Sequence, residues 1–194
     1  MSITSKQLPG IVKWLTLWLG TWAIALRLWG GDPAVNPPLP GVIVTIFMIA
    51  LGAALLAFPK ERNIWFSRIN LLQVGMVVGS MALFVGLSTV PLMQGLLTVG
   101  HVLFQQVMIA FIIFVVPGAT ELRFTQSLWR VLLFYGLSHV LLAFYIPVSW
   151  TLFFTIMSLV GAIGFTSFIQ RMRHGIALSY ILHLGFYFAI NLAL

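Results

Sequence analysis

The chain is a succession of apolar runs, each close to the length needed to cross a lipid bilayer. They cover residues 11–29, 41–59, 69–90, 96–117, 128–147, 148–169 and 176–194. Crossing the hydrocarbon core takes ~20 residues of helix. Backbone N–H and C=O groups find no water there, so a single segment satisfies them only as a helix. The pattern predicts an all-α polytopic transmembrane helical bundle of about seven spans, in one domain over 1–194. Composition agrees, with 61% hydrophobic and only 7% charged residues, where a soluble domain carries about 25% charged. Ten Lys/Arg, three Asp/Glu and four His do not make an ordinary soluble surface.

The breaks between runs organise the chain. Residues 30–40, GGDPAVNPPLP, hold breakers that a helix does not cross. The first run lacks a small-residue cleavage site of the A-x-A kind, so a retained helix is expected rather than a signal peptide. Trp14, Trp18 and Trp22 share one stripe on it, the habit of lipid-interface or helix-packing contacts. Gly75 and Gly79 have GxxxG spacing, which suits close helix approach within the chain.

The formal charge of +7 speaks for topology, not nucleic acid. Lys6/Lys13, Lys60/Arg62/Arg68, Arg123/Arg130 and Arg171/Arg173 fall on alternate breaks. The breaks at 30–40, 90–95 and 145–149 carry no Lys or Arg. By the positive-inside rule the N-terminus is cytoplasmic and the C-terminus lies on the opposite side. With no cysteine in the chain, disulfides, thiolate metal sites and cysteine nucleophiles are excluded.

Three ionisable residues concentrate the chemistry. Glu121 is the one carboxylate of the second half, and His139 and His183 each lie inside an apolar run. Ionisable groups at membrane depth are costly and commonly have a task. His139 lies nine residues beyond Arg130 and His183 ten beyond Arg173, which puts both ~13–15 Å from one face. Three readings stay open. Glu121 can act as general base on a water while histidine donates to an oxyanion. The three can hold a metal, although no compact metal motif such as HExxH occurs and no metal is assigned. Or they can be interhelical hydrogen-bonding partners. His101 is expected near the opposite face with Gln105 one turn on, a pair read as interhelical hydrogen bonding rather than chemistry. An axial ligand to haem or chlorophyll is open to any intramembrane histidine; nothing in the sequence selects it, and no cofactor is required.

TELRFTQ, then FYGLSH, then RHGIALSYILHLGFY together resemble the CPBP family (Abi, CAAX protease and bacteriocin-processing) of intramembrane glutamic proteases. The family pattern runs E-E-x-x-x-R, F-x-x-x-H and H-x-x-x-N. The likeness covers roughly 110–190, a CPBP-like core. It implies a site among helices in which a motif glutamate activates water. It places the second motif glutamate on Glu121, the middle histidine on His139 with Tyr135 at the aromatic position, and the last histidine on His183. The first motif glutamate is replaced by Thr120, the motif arginine by Thr125 and the last asparagine by Tyr187. Glu121 points ~100° round the helix from the expected base. Losing an oxyanion donor costs about 10²–10³ in rate, and losing acid–base help about 10²–10⁴. The expectation is therefore a family-like scaffold without peptidase activity, acting as a binding, assembly or accessory subunit for another integral membrane protein. Its ligand contacts would be Glu121, Tyr135, His139, His183 and Tyr187. The alternatives are an intramembrane endopeptidase with Glu121, His139 and His183 as catalytic residues, and a pigment- or haem-binding membrane subunit. The partners expected are membrane lipid and an integral membrane protein, with no nucleic acid.

Overall fold

The computed structural model describes residues 12, 16, 20, 70–114, 123–144 and 146–193. Beyond positions 12, 16 and 20, the expected spans 11–29 and 41–59 lie outside the described residues, as do the tryptophan stripe and Glu121 with Thr120. The described chain is helical throughout, with no strand among the described residues. Its elements are α1 (Leu71–Leu87), α2 (Leu92–Phe114), α3 (Phe124–Val131), α4 (Val148–Arg171) and α5 (Gly175–Ala193). A π-helical turn, Leu132–Gly136, and a 3₁₀ stretch, Leu137–Phe144, continue α3. Among the described residues two helices are long and apolar enough to cross a membrane, Phe124–Phe144 and Val148–Arg171. The apolar parts of the others are shorter: Leu71–Leu87, Thr98–Ala110 and Gly175–Ile190.

Local chemistry sets the helix ends. The Asn70 side chain accepts the Gln73 N–H at 2.9 Å and caps α1, meeting one of the backbone donors that a helix start leaves open. Pro91 stands just before α2, and its carbonyl accepts the Gly95 N–H at 3.0 Å. Gly175 is needed where α4 turns into α5, because a Cβ there would run into the Phe168 carbonyl.

α2 is the centre of the bundle. It packs against α1, α3, α4 and α5, and nine of the ten residues from 101 to 110 are buried. A helix enclosed on all sides is apolar all round, so His101, Gln105 and Gln106 within it stand out. α4 meets its neighbours through Thr151, Thr155, Ser158, Ala162, Phe165 and Ile169. Their alternating spacing of four and three makes one seam, and its small side chains let backbones approach. Leu152, Ile156, Val160 and Ile163 on the other face are exposed, as expected of a lipid-facing surface.

Candidate functional site: a buried histidine cluster

The site forms where α2, the α3 extension, α4 and α5 meet. A buried amide or imidazole costs free energy unless its hydrogen bonds are met, and here they are met between helices. Gln106 of α2, fully buried, donates from Nε2 to Nδ1 of His183 on α5 at 2.9 Å. Its Oε1 accepts from the Ser179 hydroxyl at 2.8 Å, one turn earlier on α5. With Nδ1 accepting, the His183 proton sits on Nε2, which faces the Tyr135 hydroxyl at 3.5 Å. That distance is at the outer limit of a hydrogen bond.

Aromatic rings close round the same imidazole. The Phe165 and Tyr187 rings lie 5.0 and 5.5 Å from it, the latter stacked. Tyr135 meets it edge-on at 6.1 Å and meets His139 edge-on at 5.0 Å. His139 donates from Nδ1 to the Tyr135 carbonyl at 2.8 Å, which fixes its tautomer.

The π-helical turn brings Tyr135 and His139 into place. One extra residue per turn breaks the regular ladder, and such turns recur at functional sites. The freed carbonyls are met by side chains. Tyr135 O accepts from Ser138 as well as His139, and Gly136 O accepts from Ser158 of α4 at 3.0 Å. Gly136 also allows the close approach, since a Cβ there would sit 2.7 Å from the Leu159 side chain.

His139, His183, Tyr135 and Tyr187 are thus brought together, whereas Glu121 lies outside the described residues. The His101–Gln105 bond lies within α2, where the sequence leads one to expect an interhelical bond: His101 Nε2 accepts from Gln105, one turn on, at 2.6 Å. Sequence reasoning assigned no role to Gln106, Ser179 or Phe165. The signal available was the Gln105–Gln106 pair inside an otherwise apolar run. No three His, Cys, Asp or Glu among the described residues are placed to hold a metal ion. Comparison with protein families, characterised proteins and solved structures finds no match to this chain.

Proposed function

We propose that the chain is a multi-pass membrane protein, a divergent CPBP-like scaffold without peptidase activity that binds or assembles with another integral membrane protein. In this reading seven helices span the membrane, with the N-terminus cytoplasmic and the C-terminus opposite. The observation that carries it is the engagement of His183. One ring nitrogen holds the Gln106 amide, the other faces Tyr135, and rings of Phe165 and Tyr187 lie beside it. A histidine serving catalysis has to offer a nitrogen to substrate or water. One held in this way is suited to locking α2, α4 and α5 together. The substitutions at Thr120, Thr125 and Tyr187 point the same way. With the core locked, the exposed apolar face of α4 remains for lipid or a partner helix.

The test is gentle purification from the native membrane, followed by mass spectrometry of co-purifying chains, with Glu121→Ala alongside. A stable membrane-protein partner retained equally by both forms is the expected result. A partner that is absent from wild type and trapped by Glu121→Ala would identify a protease substrate and overturn the reading.

A further inference from the structure

The basic end of the bundle and the α1–α5 interface together describe a lipid site. α4 and α5 join at an exposed turn carrying Arg171 and Arg173. The Arg171 guanidinium lies over the Phe124 ring, 3.9 Å from its centre, which holds it at the start of α3. The backbone carbonyl of Arg173 accepts from Gln73 Nε2 of α1 at 3.1 Å. That bond sets α1 and α5 side by side, both running away from the basic turn. Farther along, between the same two helices, a groove of about 210 Å³ opens. It is lined by Leu83, Phe84 and Leu87 of α1 and by Ile181, Leu184, Gly185 and Phe188 of α5. Ser80 lies at its near end, but its hydroxyl is already bonded to the Val77 carbonyl. The groove therefore offers apolar surface only.

From these features we infer that the chain holds one anionic phospholipid, with phosphate at Arg171 and Arg173 and an acyl tail in the α1–α5 groove. The inference rests on the membrane reading above. Charge and depth favour this occupant. Arg171 and Arg173 stand two residues apart on the exposed turn, which puts two cationic groups at one end of the bundle. Guanidinium matches phosphate in geometry and charge. The depth also fits. Ser80 is seven residues past Gln73 and Leu87 fourteen, so the groove lies ~10–20 Å from the basic turn. Half the hydrocarbon core is ~15 Å, which puts the groove beside the distal part of a tail anchored at that turn. The lining is almost wholly apolar, as an acyl chain requires.

The test uses the purified full chain, phosphatidylglycerol and phosphatidylcholine with the same acyl chains, and native mass spectrometry. One phosphatidylglycerol per chain is expected in preference to phosphatidylcholine. The Arg171→Gln/Arg173→Gln double variant is expected to weaken phosphatidylglycerol about 30-fold, at about fivefold per basic residue. Gly185→Leu fills the groove. A Cβ at Gly185 meets nothing within 4 Å, so the variant keeps or raises the melting temperature while losing the lipid. Equal affinity for the two lipids, or full binding by Gly185→Leu, would overturn the proposal. A dimer dissolved by Gly185→Leu would give the groove to a second copy, and a lowered melting temperature would give it to another part of the chain; either overturns the lipid. An alkaline wash of the membranes separates the two levels of failure. Release of the chain would sink the membrane reading itself, whereas retention without lipid preference would sink only the site.

Discussion

Replacing Gln106 by leucine tests whether its buried amide locks α2 to α5. The change keeps approximate volume and removes both interhelical bonds of the amide, to His183 at 2.9 Å and to Ser179 at 2.8 Å. Ser179 still reaches the Ile176 carbonyl at 3.0 Å, so its share of the loss is small. His183 Nδ1 is left without the donor that met it, in a residue only 5% exposed. An unmet buried polar group costs ~1–3 kcal/mol. Interhelical hydrogen bonds in membrane proteins average ~0.6 kcal/mol and reach ~1.7. Together these put Gln106→Leu at about 1.5–2 kcal/mol of lost stability, roughly a tenfold or larger change in the unfolding equilibrium. The assay is reversible unfolding in bicelles, run as a cycle with His183→Leu. The double variant is expected to be more stable than the sum of the single effects by ~0.6–1.7 kcal/mol, because removing the second partner relieves the first. Strict additivity, or a neutral Gln106→Leu, would refute the locking role.

Two further substitutions probe the elements that hold the site. Gly175→Ala drives a Cβ into the Phe168 carbonyl and is expected to cost ~1–3 kcal/mol through a displaced turn. Gly185→Ala meets no neighbour and is expected to gain up to about 1 kcal/mol from helix propensity; melting curves of the pair check both signs. Ser158→Ala removes the donor to the Gly136 carbonyl and should lower stability by ~1 kcal/mol. Faster amide exchange confined to 132–144 is the matching readout.

Helices with a plain apolar pattern were legible in the sequence, and the departures have local causes. The expected run 148–169 is helix Val148–Arg171, and 176–194 is Gly175–Ala193. The run expected from 128 begins at Phe124 instead. Its first two turns are amphipathic, with Ser127 and Val131 buried and Trp129 exposed, so hydropathy alone missed them. The run expected from 96 begins at Leu92, directly after Pro91. The π-helical turn left no mark in the sequence beyond Gly136, because it depends on partners from another helix. Ser158 of α4 meets its open carbonyl, and Leu159 packs where a Cβ would stand. That His139 and His183 share one site was an expectation from counting residues from Arg130 and Arg173, and both rings do meet Tyr135. Their connection through Tyr135 and Gln106 was not readable in this way, since it depends on helix rotation.

In the proposed reading the chain is a membrane scaffold whose histidines hold helices together and do not cleave peptide bonds. The most direct test is the membrane proteome of cells lacking the chain, compared with cells carrying wild type, Glu121→Ala or His139→Ala at equal expression. The expected result is that no membrane protein accumulates uncleaved in either variant and that loss of the chain lowers the abundance of a partner. An uncleaved membrane protein that accumulates in both variants and in the deletion, and is processed only with wild type, would contradict it.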